Sequence, residues 1–121
     1  RNSGVIVADR PGKVTQYASL AMNDRGELFV EPGTEVYKGM IVGERNRTGD
    51  LDVNIIREKK MTNMRSATKD STVVIRPPRN MSLDQCIEFI SNDELIEITP
   101  MNLRLRKMEL DINKRLSKNK K

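Results

Sequence analysis

ELIEITPMNLRLRKM, residues 94–108, alternates apolar and polar side chains in two runs, 94–99 and 102–108, with Pro100–Met101 between them. A period of two is the pattern of a half-buried strand, and the proline marks a turn, so the stretch predicts strand–turn–strand. Leu103 and Leu105 then face a core while Arg104 and Arg106 face water. Just upstream, Ser82 with Gln85 three residues on forms a capping box, and Met81 is placed to staple onto Cys86. Leu83, Cys86, Ile87 and Ile90 follow at i, i+3, i+4 and i+7, which predicts a short helix over 82–91 with one apolar face. On that face Cys86 reads as a small buried hydrophobe rather than a nucleophile.

The N-terminal part reads the same way. GVIVA (4–8) is a strand stopped by Asp9-Arg10-Pro11-Gly12. TQYASLAMND (15–24) suits a short helix with Thr15 as N-cap and Gly26 past its end, a strand being the alternative because the apolar spacing is untidy. ELFV (27–30) and EVYKGMIVG (35–43) read as paired strands around Pro32–Gly33, with a bulge or bend at Gly39. LDVNII (51–56) and TVVIRPP (72–78) are further strand candidates, and Met108, Ile112 and Leu116 line a short basic C-terminal helix. The fold class expected is mainly β: a compact barrel-like sheet with the 82–91 helix and one or two less regular helices. A long basic loop is expected over about 45–70.

The 121 residues make one domain's worth of chain, which buries about two-thirds of its unfolded surface without disulfide support. With no histidine and one cysteine, Cys/His zinc sites, Cys–His nucleophiles and histidine general bases are excluded. Gly12-Lys13 is followed by Val14, and Val7 stands where a phosphate loop needs its first glycine, so there is no P-loop. Asp93/Glu94 and Asp84/Glu88 read as solvated faces rather than acid–base pairs. No catalytic residues and no metal ligands are assigned. No apolar run reaches the about 18 residues of a membrane span. Arg1 is not an initiator, so a fragment of a longer, multidomain protein is expected.

Charge is segregated. Residues 1–43 are net neutral, 44–79 carry nine basic against five acidic side chains, 80–100 carry five acidic and none basic, and 101–121 carry eight basic against two acidic. An electropositive side attracts polyanions, nucleic acid first. Tyr17, Phe29, Tyr37 and Phe89 are the only aromatics, all in segments that read as core. Single-strand binders stack bases on exposed aromatics, so a structured RNA read through phosphate and 2′-hydroxyl groups fits better. The residues assigned to that task are Arg45, Asn46, Arg47, Lys59, Lys60, Thr62, Asn63, Arg65 and Lys69, joined by Arg104, Arg106 and Lys107 of the C-terminal basic block. A protein-interaction domain docking an acidic partner through the basic C-terminal helix is the alternative.

RGELFVEPGTEVYKGMIVGE (25–44), DLDVNIIREKKMTNMRSATKD (50–70) and PPRNMSLDQCIEFISNDELIEITPMNLRLRK (77–107) resemble, in order and spacing, the C-terminal domain of the BipA/TypA family of translational GTPases. The resemblance runs from about Gly4 to Arg115. It implies a β-barrel-like module, residues 1–121, of a cytoplasmic multidomain GTPase whose GTP and Mg belong to an N-terminal domain. No cofactor is then expected in this segment. The implied partners are the ribosome, large-subunit rRNA and the tRNA acceptor arm near the aminoacyl-tRNA site, met through a loop that corresponds to Arg45–Lys69. The resemblance links the parent to stress adaptation and large-subunit assembly; a monomer with no membrane association is expected.

Overall fold

A computed structural model describes residues 1–58 and 77–119, the side chains of the last three excepted. In chain order the elements are β1 (Val5–Ala8), β2 (Gly12–Lys13), α1 (Gln16–Ala21), β3 (Gly26–Leu28), β4 (Glu35–Val36), β5 (Met40–Arg45), β6 (Leu51–Val53), α2 (Leu83–Phe89), β7 (Glu94–Ile98), β8 (Leu103–Lys107) and α3 (Ile112–Asn119). The expected helix after Thr15 forms, and the Thr15 hydroxyl accepts from the Ala18 amide as its cap. The 94–108 hairpin forms too, pairing Glu94 with Lys107, Ile96 with Leu105 and Ile98 with Leu103.

One sheet, in the order β6-β1-β5-β8-β7, carries the fold, and β3 shares with β8 the edge of β5 opposite β1. It is mixed, because β6 runs parallel to β1 while the other pairs are antiparallel. The coarser expectation, mainly β with few helices, holds; among the described residues β6 and β7 are not paired with each other and no closed barrel is formed. The loop expected over 45–70 also begins differently. Arg45 ends β5, and Leu51–Val53 is β6, whose chain continues into the buried Ile55. Burying Val53, Ile55 and Ile56 against the core supplies the apolar contact that orders this piece. The rest of that loop, and most of the 72–78 strand, lie outside the described residues.

Successive side chains of β1 point to opposite faces and feed two cores. Ile6 and Ala8 join Val14, Ala18, Val36, Met40, Val42 and Ile55 on the face that α1 covers. Val5 and Val7 join Ile41, Cys86 and Leu105 on the face that α2 covers. Val42 is an extra residue in β5, since Ile6 pairs with Gly43 and Val7 with Ile41. This bulge swaps faces beyond it and brings Glu44 to the α2 side, where it meets Arg79. Gly43 is needed there, because a Cβ would lie 2.6 Å from the Glu27 carbonyl oxygen. Gly39, with φ +89°, makes the expected bend, and a Cβ would come within 2.5 Å of Leu110.

In α2 both bonds of the capping box are made: Gln85 N–H donates to Ser82 Oγ at 3.2 Å and Ser82 N–H to Gln85 Oε1 at 2.8 Å. The apolar face differs from the one expected. Cys86 is buried with Phe89 and Ile90 packed beside it, whereas Leu83 and Ile87 are exposed. Phe89 meets Phe29 edge-on at 5.4 Å, and this contact rolls the helix toward its 86/89/90 edge. Burial pushes the Cys86 thiol up, in keeping with an inert packing role. Ser82→Ala removes one half of the box and is expected to cost about 1 kcal/mol, read as a lower urea midpoint at unchanged slope.

Candidate nucleic-acid interface

Arg45, Asn46 and Arg47 stand together at one end of the sheet, where β5 passes into a bend. The bend is fastened on both sides: Arg45 N–H donates to the Gly4 carbonyl at 2.9 Å and Gly4 N–H to the Arg47 carbonyl at 2.8 Å. The Arg45 guanidinium closes it by donating to the Gly49 carbonyl at 3.0 Å. Asn46 and Arg47 are exposed. Lys59, Lys60, Thr62, Asn63, Arg65 and Lys69 lie outside the described residues. The chain entering and leaving that segment is anchored. Thr15 Oγ1 donates to the Arg57 carbonyl at 2.5 Å, and Arg79 N–H donates to the Leu28 carbonyl at 2.9 Å. The Arg79 guanidinium lies 4.8 Å over Phe29 and bridges Glu27 and Glu44 at 3.0 and 2.8 Å.

Arg104 and Arg106 are elsewhere. Arg106 pairs with Met40 in the ladder, at the end of β5 opposite Arg45. Both are half-buried and flank Tyr37, whose hydroxyl donates to Glu97. Burial and the Glu97 bond push the Tyr37 hydroxyl well above its ordinary value. Arg106 donates to the carbonyls of Lys107 and Met108 at 3.1 and 3.2 Å. The sequence-assigned residues therefore form two separate groups, not one face.

Lys107 leaves the set. It lies two residues beyond the buried Leu105 on β8 and is 1% exposed, whereas Leu103, expected to face the core with Leu105, is 40% exposed at the hairpin end of the strand. Its ammonium lies 2.5 Å from Asp50, 2.9 Å from Asp93 and 2.8 Å from Glu94. A charge enclosed in this way is spent inside the fold and meets no phosphate. Glu94 also corrects its reading as a solvated carboxylate, being 2% exposed and gripped by Arg1 at 2.6 and 2.7 Å. Burial pushes the Glu94 carboxyl up, but hydrogen bonds from Arg1, Lys107 and the Ser91 amide outweigh it and hold the group at about 2. For Lys107, burial pulls down while Asp50, Glu94 and Asp93 pull up and prevail. Asp50, Asp93 and Glu94 present carboxylate oxygens within 4.8 Å of one another, close enough to share a cation, and the Lys107 ammonium bonds to all three.

A signal for this network was present in the sequence. Counting inward along β8 from Leu105 reaches Lys107, and the hairpin register sets Glu94 opposite it. Nothing local announced Arg1, which joins from 93 residues away. The basic C-terminal helix likewise turns one of its cations inward: Arg115 grips Asp52 of β6 at 2.6 and 3.0 Å. Tyr17 departs from its expected core position, being partly exposed beneath the Arg57 guanidinium.

A family model described as the TypA/BipA C-terminal domain matches residues 3–112. The chain is 52% identical over 115 residues to a large ribosomal subunit assembly factor BipA of Bacillus subtilis, covering 95% of this chain and 19% of that protein. It is 49% identical over 108 residues to the factor of that name in Synechocystis, covering 89% of this chain and 18% of the relative. With the Salmonella typhimurium protein it shares 44% over 120 residues, 99% of this chain and 20% of the relative. The chain thus spans about a fifth of the length of these relatives. Among the described residues no helix is long and apolar enough to cross a membrane.

Proposed function

The chain belongs to the TypA/BipA C-terminal domain family, and from that membership we propose that it is a non-catalytic, RNA-contacting module that docks on the large ribosomal subunit. It acts as a single monomeric domain of a longer cytoplasmic GTPase, whose GTP and Mg are held by another part of that protein. Its contacts are large-subunit rRNA and the tRNA acceptor arm near the aminoacyl-tRNA site, in a parent that serves large-subunit assembly and stress adaptation.

The observation that carries this reading is the bend after β5, where Asn46 and Arg47 are exposed and Arg45 is half-buried, beside sheet charges such as Glu44, Asp52, Glu94 and Lys107 that are paired within the fold. Arginine and asparagine on a fixed backbone suit phosphate oxygens and 2′-hydroxyls. Lys59, Lys60, Thr62, Asn63, Arg65 and Lys69 share the RNA-contacting role in this proposal, and Arg104 and Arg106 supply a second point of contact. The named role of the relatives supports the large subunit as the target.

Co-sedimentation of the chain with large subunits across a salt series tests this. Affinity is expected to fall with salt, each cation that meets a phosphate adding roughly one unit to the log–log slope. Replacing Lys59, Lys60 and Arg65 with Ala flattens the slope by up to about 3 units. Absence of salt-dependent pelleting by the unaltered chain rejects the reading.

A further inference from the structure

We infer that Arg25 is a phosphate-contacting residue of the same interface, forming with Arg45 and Arg47 one basic patch built across two strands. Arg25 precedes β3, far from the basic segments of the sequence, and residues 1–43 carry no net charge to single it out. Tertiary pairing moves it. Gly26 stands opposite Arg45 in the β3–β5 ladder, and the step beyond joins the backbones of Arg25 and Asn46, whose N–H donates to the Arg25 carbonyl at 2.9 Å. Asn46 Nδ2 donates to the Asp24 carbonyl at 2.9 Å, so the turn before β3 and the bend after β5 are fastened twice. Three arginines therefore share one end of the sheet, with Arg25 and Arg47 exposed.

The surroundings favour a polyanion over a protein partner. None of the exposed large hydrophobic side chains belongs to the 23–26 turn or the 45–49 bend; they lie on α1, α2, the β7–β8 hairpin and the C-terminal segment. A protein interface needs an apolar or aromatic anchor at its centre, whereas a phosphodiester backbone is held by cations and amides alone. The neighbouring carboxylates Glu27 and Glu44 line the groove beside Arg45 but are both engaged by Arg79. Asp24 is exposed in the turn, one carboxylate beside a patch of three arginines. The backbone of the patch is fastened by these bonds, so binding has side chains rather than chain to order.

This inference rests on the RNA-contacting reading, and the test separates the two. Arg25→Gln, Arg47→Gln, their double variant and Arg10→Gln are compared with the unaltered chain for binding to large subunits and to protein-free large-subunit RNA. Arg10 follows β1 at the end opposite Gly4 and is paired with Asp9, so it serves as a distant control. The carbonyl that holds Asn46 is backbone and survives substitution at residue 25; urea midpoints confirm that each variant is folded. Arg25→Gln is expected to weaken both interactions about five- to tenfold at 0.1 M salt and to flatten the slope by about 1 unit, with about 2 for the double variant. An unchanged slope for Arg25→Gln while the Lys59/Lys60/Arg65 variant flattens it overturns the inference and leaves the reading standing. An equal effect of Arg10→Gln means a diffuse field and overturns the patch. An Arg25→Gln effect on subunits but not on free RNA places a ribosomal protein at the patch and overturns it too. If the unaltered chain shows no salt-dependent binding, the reading fails and the inference with it.

Discussion

Lys107→Met is expected to lower the unfolding free energy by about 3–5 kcal/mol, much of the total that a domain of this size has. Methionine nearly matches the lysine stem in volume, so packing survives and only the ammonium is lost. Glu94 is then left buried with Arg1 as its one strong cation, while Asp50 and Asp93 lose their shared partner. Those two retain access to solvent, so most of the penalty falls on Glu94. A second substitution isolates this. Lys107→Met with Glu94→Leu replaces the pair by apolar groups, and a large part of the loss is expected to return, because a buried pair contributes less net stability than the cost of breaking it on one side. Urea unfolding of the four proteins gives the cycle. Full additivity would show that the two residues act separately.

Acid is expected to dismantle the same network. The Glu94 carboxyl titrates at about 2 in the folded chain against 4.5 for the free side chain. A group whose folded value is depressed contributes its stability above the unfolded value and loses it as pH falls toward the folded one. Stability should therefore hold down to about pH 4.5 and decline toward pH 2, by roughly 3 kcal/mol for this group. Glu44 titrates in the same direction: burial pushes it up, and its bonds from Ser3 and Arg79 prevail. Urea midpoints at a series of pH values from 7 to 2 measure the limb. Glu94→Gln lowers the plateau and flattens the decline; an equally steep decline in that variant would assign the acid sensitivity to other carboxylates.

Much of the fold was legible because it rests on short-range rules. The α2 capping box needs only Ser82 and Gln85 three residues apart, and both its bonds form. Thr15 caps α1 by the same local geometry, and Pro100–Met101 closes a hairpin between two alternating runs. The exposure of Asn46 and Arg47 was legible because their setting is itself local, a strand end running into a bend.

What tertiary structure alone decided concerns contacts between distant segments. Alternation says that β7 and β8 pair, but not whether the sheet closes on itself, which depends on partners for β6 and β7 that no local pattern specifies. An extra residue at Val42 changes which face Glu44 occupies, and a period of two carries no mark of a bulge. Leu83 and Ile87 obey helical spacing, yet the edge that packs was chosen by Phe29, about sixty positions earlier. Lys107 and Glu94 look like surface charges until Arg1 and Asp50 converge on them and repay desolvation with hydrogen bonds. Arg25 makes the same point, since its neighbours are set by the β3–β5 ladder and not by the residues beside it in the chain. Local propensity and period follow from neighbours within a few residues, whereas burial and charge pairing follow from which distant segments fold against one another.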